Sequence, residues 1–128
     1  MSLELKLLAC SVALAFIQMV VALFGAMLQV GLPALAGNRE NLPEITGWAG
    51  RAMRAHRNML ENLVLFAALV LVGHAAGKLN ATTVLGAQLF IWARLAYAVI
   101  YVAGIPWLRT GVWAVSAVGL ILIFWQVV

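Results

Sequence analysis

Polar residues are sparse along this 128-residue chain, and they fall in clusters that cut it into four long apolar stretches. The first runs from Leu7 to Leu32, with only Gln18 and Gln29 as strongly polar members. It predicts a helix over 5–30. Further helices are expected over 48–77, 82–103 and 107–128. Each span is near the roughly 20 residues a helix needs to cross a bilayer. Gly37 to Pro43 is the longest polar connector. Gly77-Lys78-Leu79-Asn80 reads as a tight turn, with Asn80 suited to cap the next helix. Gly104-Ile105-Pro106 ends the third span and opens the fourth, where Pro106 fits the first turn. Connections this short make neighbours antiparallel. The expectation is a single-domain, all-α membrane protein over residues 1–128, an up-down bundle of four transmembrane helices.

The second span is uneven. Its uncharged run, Leu63 to Gly73, is too short to cross, so the helix must extend back through Asn58 and Arg54. Residues three and four apart share a helix face. Arg54, Arg57, Asn58 and Glu61 therefore share one face, and Arg94, Tyr97 and Tyr101 share a face of the third span. Antiparallel helices would set Arg54 level with Tyr101, Asn58 with Tyr97 and Glu61 with Arg94. Glu61 and Arg94 are then expected to pair. Charged groups in hydrocarbon are costly and by default mark a functional site. The plainer reading is an ion pair that only locks two helices, beside two ordinary core tyrosines. The common register of all six residues favours a site.

Composition agrees with membrane. The chain is 66% hydrophobic and 9% charged, with a mean hydropathy of +1.06, whereas a soluble domain is about a quarter charged. Net charge is +4, but the basic residues are scattered and form no nucleic-acid face. Cys10 stands alone in an apolar run, so no internal disulfide or metal site follows, and a buried structural thiol is expected. Ala34-Leu35-Ala36 looks like a signal cleavage site. The apolar stretch before it exceeds the about 7–15 residues of a signal core, so a retained helix is expected. Arg39, Arg51, Arg54, Arg57 and Arg109 lie on the side of the first and third connections, against Lys6 and Lys78 opposite. That bias places those connections in the cytoplasm and both termini outside. Trp48 and Trp107 would mark the cytoplasmic interface and Trp125 the outer one. His56 points away from the polar face, and His74 lies near the outer end. Gly25, Ala68, Gly86, Ala93, Ala117 and Gly119 are candidates for close helix approach.

From Arg54 to Glu61 the helix rises about 10 Å, the length of a small peptide-like ligand. The polar face offers guanidinium forks for carboxylates, a carboxylate for an ammonium, an amide and two phenols. These suit a multiply charged zwitterion. Glutathione carries two carboxylates, one ammonium, two amides and a thiol. Arg109, just past Pro106, lies at the mouth of the same half. A cation beside a thiol raises its thiolate fraction, as a thiol transferase needs.

Arg54-Ala55-His56-Arg57-Asn58-Met59-Leu60-Glu61 resembles the R-A-x-x-N-x-x-E signature of the MAPEG superfamily, the membrane-associated proteins in eicosanoid and glutathione metabolism. Arg94-x-x-Tyr97-x-x-x-Tyr101 is similar to its third-helix pattern. The resemblance covers nearly the whole chain and suits a bacterial-type member, which implies an inner-membrane location with the site on the cytoplasmic side. It also implies a homotrimer of four-helix protomers with glutathione bound between neighbours. Arg54, Arg57, Asn58 and Glu61 would hold glutathione from the second helix. Tyr97 and Tyr101 would contact it from the third, with Arg94 tying Glu61 in place. Arg109 falls near the family's thiol-activating arginine and is the catalytic candidate. The implied function is thiolate attack on lipophilic electrophiles or lipid hydroperoxides, as a glutathione transferase or peroxidase without a metal. Its partners would be glutathione, a lipophilic substrate, membrane lipid and further copies of the chain. The chain departs from the pattern at Val30-Gly31-Leu32-Pro33, where several members carry basic residues. Arg39 is the nearest cation that could take their place. This departure motivates the alternative, a non-catalytic MAPEG-like protein that binds a lipid or a partner.

Overall fold

A computed structural model describes residues Met1–Val128. The chain is all-helical: α1 Leu3–Val30, the short α2 Leu32–Ala36, α3 Gly47–Ala76, α4 Ala81–Ala103 and α5 Pro106–Val127. The four long helices are each long and apolar enough to cross a membrane. Their ends lie within two residues of the spans expected from sequence. The connector between α1 and α3, expected to be irregular from Gly37, is preceded by the one extra turn of helix, α2, with Pro33 in its first turn.

Local chemistry sets the boundaries. Asn80 accepts from the backbone N–H groups of Thr82 and Thr83, and Thr83 returns the bond by accepting from Asn80 N–H at 2.7 Å. That reciprocal cap starts α4. Gly77 (φ 67°) and Gly104 (φ 84°) end α3 and α4 in the left-handed conformation that glycine adopts without penalty. Pro106 occupies the first turn of α5, where its missing N–H costs nothing.

Helices α3 and α4 are central. Each touches both α1 and α5, whereas α1 and α5 do not touch each other. The cross-section is therefore a lozenge with α3 and α4 on its short diagonal. Three clusters hold it together. Phe66 of α3 stacks on Phe90 of α4 with centroids 4.2 Å apart, within a group that includes Met59, Val70, Ala87 and Ile123. Ala26, Leu35, Ile45 and Ala49 pin α2 and the connector to α1 and α3. Ala55, Tyr97 and Tyr101 form the third, against Val112 of α5. Lipid tails are as apolar as these side chains, so close packing rather than the hydrophobic effect drives helix association in a bilayer. Glycine supplies the closest approach. A Cβ on Gly119 would stand 2.5 Å from the Gly86 carbonyl oxygen, and one on Gly86 would stand 2.6 Å from that of Gly119. Gly25 is tucked against Trp48 and Ala49 in the same way. Ala68, expected to serve such a contact, is exposed.

Buried polar groups are mostly answered locally. Ser11 and Ser116 donate to carbonyls of their own helices at 2.9 and 2.7 Å. Glu4 is buried against the Thr83 hydroxyl, which donates to it at 2.6 Å, so α1 and α4 are tied where both begin. Gln29 donates to the Thr46 carbonyl at 2.7 Å and accepts from Thr46 N–H at 3.0 Å, fastening the end of α1 to the start of α3. Cys10, expected to be buried, is exposed. An apolar run identifies a membrane span but not which of its faces meets protein; Cys10 lies on the outer surface of α1.

Candidate functional site

The connector half of the bundle, toward α2 and the α4–α5 turn, contains an open cleft of ≈ 250 Å³ lined by Arg54, Arg57, Asn58, Glu61, Tyr97, Tyr101 and Arg109. Three helices supply it. The first four residues come from α3, the tyrosines from α4 and Arg109 from α5. Spacings of three and four on each helix bring them to one side, and the α3–α4 contact brings the two faces together. The α4–α5 turn then folds Arg109 back over them.

The register expected between α3 and α4 is seen at the cleft's open end. Arg54 Nε donates to the Tyr101 hydroxyl at 3.3 Å. The Tyr101 ring lies beneath the Arg109 guanidinium, whose carbon is 4.4 Å from the ring centroid. Tyr101 thus holds two cations, one by its oxygen and one by its face. Tyr97 is 5.5 Å from Tyr101, centroid to centroid, and tilted by 59°. Arg54, Arg57 and Glu61 are exposed on this chain, Asn58 and Arg109 are half-buried, and both tyrosines are buried.

One expectation fails at the deep end. Arg94 is 1% exposed, and none of its three guanidinium nitrogens has a hydrogen-bond partner. It therefore does not pair with Glu61. It is also absent from the cleft wall, so the structure does not place it where a ligand in the cleft would touch it. Its guanidinium instead stacks on the Tyr97 ring at 4.2 Å. The physical reason is angular. Spacing fixes how deep a residue lies on its helix, but contact also requires the two side chains to turn toward each other. Glu61 turns out to the cleft and Arg94 turns in behind Tyr97.

Sequence spacing also missed several residues. Asn62, 8% exposed, donates to the Asn58 carbonyl at 2.8 Å and to Asn58 Oδ1 at 3.2 Å, so it orients the Asn58 amide. Its four-residue step from Asn58 was the available signal. Arg51 Nε donates to the Val102 carbonyl at 2.9 Å, and its guanidinium lies against Gly104, which fixes the end of α4 to α3. Beside the cleft, Thr110 and Trp113 join Asn58, Tyr97 and Arg109 around a second pocket of ≈ 170 Å³. Arg39 is not in the cleft. Its Nε donates to the Leu35 carbonyl at 2.7 Å, and it lines a separate groove with His56 and Arg57. No group of three or more His, Cys, Asp or Glu side chains is placed to hold a metal ion.

Fold and cleft together define a multi-pass helical membrane protein with a charged recess on its central helix pair. The model of the MAPEG family matches residues 7–128. The chain belongs to that family, which includes both glutathione-dependent enzymes and non-catalytic members. No curated protein and no solved structure matches it.

Proposed function

We propose that this protein is a glutathione-dependent membrane enzyme whose thiolate attacks lipophilic electrophiles or lipid hydroperoxides. The observation that carries this reading is the gathering of Arg54, Arg57, Asn58, Glu61, Tyr97, Tyr101 and Arg109 around one recess. The guanidinium groups of Arg54 and Arg57 answer the two carboxylates of glutathione, and Glu61 answers its ammonium. The Asn58 amide, held by Asn62, answers a peptide group. Arg94 acts at one remove, as a cation that fixes the Tyr97 ring from behind.

Arg109 is the catalytic candidate. Stacked on Tyr101, it presents a fixed positive charge at the recess, and such a charge favours the thiolate over the thiol. The proton leaves to water. With a carbon electrophile, a C–S bond forms and the leaving group departs with its electron pair. With a hydroperoxide, an S–O bond forms as the O–O bond breaks, and the alkoxide takes a proton to become an alcohol. A second glutathione then displaces water from the sulfenic acid to give the disulfide. The adjoining pocket with Trp113 is a place for the lipophilic partner, which would arrive through the bilayer.

Arg54, Arg57 and Glu61 are exposed on the single chain. Charges facing hydrocarbon are costly, which supports the homotrimer that the family resemblance implies, with a neighbouring copy closing the recess. The same resemblance, with the arginine bias, supports a bacterial inner membrane, both termini outside and the recess on the cytoplasmic side.

The test is calorimetric titration of glutathione into purified protein, with thiolate absorbance followed near neutral pH. Saturable binding is expected, weakened by Asn58→Ala and Glu61→Ala. Arg109→Ala should spare binding and lower the thiolate signal. Absence of saturable binding refutes the glutathione reading. The second reading, a non-catalytic binder, draws on Val30-Gly31-Leu32-Pro33 and on Arg39 being turned to the Leu35 carbonyl, away from the cleft. Binding without thiolate or turnover would favour it.

A further inference from the structure

On the edge of the lozenge opposite the charged cleft, a pocket of ≈ 370 Å³ lies between α1 and α4, floored by Ala52 and Ala55 of α3. Nine of its ten lining residues are hydrophobic, and the tenth is Gln18 of α1. Ile17, Leu95 and Val99 on its walls are exposed, so the pocket opens on the outer surface of the bundle. Gln18 itself is 8% exposed, and its carbonyl oxygen Oε1 is buried without a hydrogen-bond partner. We propose that this pocket holds a lipid acyl chain bearing a mid-chain hydroxyl. The hydroxyl donates to Gln18 Oε1, and the hydrocarbon on either side lies along Ile17, Leu95 and Val99.

Three observations carry the proposal. The first is the orphaned amide. Leaving a buried acceptor unpaired costs free energy, and no protein group answers this one. A primary amide carries an acceptor and a donor on neighbouring atoms, and a hydroxyl carries both on one oxygen, so the two match. The second is the lining. No charged residue borders the pocket, so a carboxylate, phosphate or ammonium there would stand unpaired in hydrocarbon. A plain hydrocarbon chain would suit the walls but leave Oε1 unanswered. The third is depth. Glu4 of α1 meets Thr83 of α4, and the two helices run in the same direction. Fourteen residues further along each stand Gln18 and Tyr97. Helix α4 continues for six residues past Tyr97, to Ala103, so Gln18 lies about 9 Å below that end. Head groups stay at the boundary, and the acyl chain is what passes at the level of Gln18.

The proposal does not rest on the glutathione reading. Pocket and cleft share no lining residue, so substitutions at Gln18 and Ala98 probe the pocket alone. A single trapped water could also answer Gln18, but it would leave the aliphatic walls indifferent to a hydroxyl on a chain.

Purified protein in uncharged detergent micelles is titrated with methyl ricinoleate and, separately, with methyl oleate, reading bound ester by native mass spectrometry and the thermal midpoint. Both esters are uncharged, and they differ by one mid-chain hydroxyl. Methyl ricinoleate is expected to bind about three- to tenfold more tightly, the ratio that one hydrogen bond gives. Gln18→Leu keeps the bulk and removes the amide, and it should bring methyl ricinoleate down to the affinity of methyl oleate. Ala98→Leu narrows the pocket and keeps the amide, and it should weaken both esters. Equal affinity for the two esters in the wild-type protein overturns the proposal, and that comparison needs no variant to fold. A hydroxyl preference that survives Gln18→Leu places the ester elsewhere and overturns it, as do unchanged affinities in Ala98→Leu. If cysteines placed at Val99 in a Cys10→Ser background crosslink two copies and methyl ricinoleate does not prevent it, a second chain covers the pocket and the proposal falls.

Discussion

Replacing Gly119 by alanine tests the helix contact that carries Arg109 to the cleft. A Cβ at that position would meet the Gly86 carbonyl oxygen at 2.5 Å, Phe90 N at 3.1 Å and Leu89 Cβ at 3.2 Å. Two of those three atoms are backbone and cannot swing away. An ordinary carbon–oxygen contact is about 3.3–3.6 Å, so α4 and α5 must part by ~1 Å at the crossing. A gap of that size forfeits about a quarter to a half of each nearby dispersion contact, and overpacking of this kind costs about 1–3 kcal/mol. Alanine returns roughly 1 kcal/mol through its better helix propensity. The net expectation is destabilisation by up to about 2 kcal/mol. Gly111 is the internal control, because it lies on the same helix and a Cβ there meets nothing within 4 Å. Gly111→Ala should be neutral or slightly stabilising. Gly86→Ala, whose Cβ would lie 2.6 Å from the Gly119 carbonyl, should resemble Gly119→Ala. The double variant should cost less than both single effects added, since one separation relieves both clashes. The assay is unfolding by graded dodecyl sulfate in mixed micelles, followed by ellipticity. If Gly119→Ala unfolds at the same detergent fraction as Gly111→Ala, the close crossing of α4 and α5 is wrong.

The remaining expectations concern the cleft and its supports. Tyr101→Phe removes the bond from Arg54 but keeps the ring beneath Arg109; it should cost about 0.5–1.5 kcal/mol in stability and spare the thiolate signal, whereas Tyr101→Leu should lose that signal as well, and equal thiolate loss in both would contradict the division of roles. Asn62→Leu keeps the volume but frees the Asn58 amide. It should weaken glutathione about three- to tenfold by calorimetry, and unchanged affinity would show that Asn58 needs no support. Gly104→Ala forces a side chain into a left-handed turn (φ 84°) and against Arg51; a loss of about 1–2 kcal/mol is expected, read as a lower thermal midpoint.

Much of the arrangement is legible along the chain because a bilayer leaves few choices. Hydrocarbon demands long apolar helices with every backbone bond made internally, so the polar breaks at Gly37, Gly77 and Gly104 fix where helices end. Asn80 and Pro106 mark the next starts through capping chemistry that acts over three or four residues. Helical spacing and antiparallel order set depth, and so Arg54 meets Tyr101 as their positions suggest. Rotation about the helix axis is another matter. In water, the apolar face of a helix points inward and reveals its orientation; in lipid both faces are apolar, so the pattern is silent. That is why Cys10 faces outward and why Glu61 and Arg94 share a level without meeting. The roles of Asn62, Arg51 and Trp113 likewise depend on which neighbour each helix turns toward, and only the packing of α3, α4 and α5 against one another decides that.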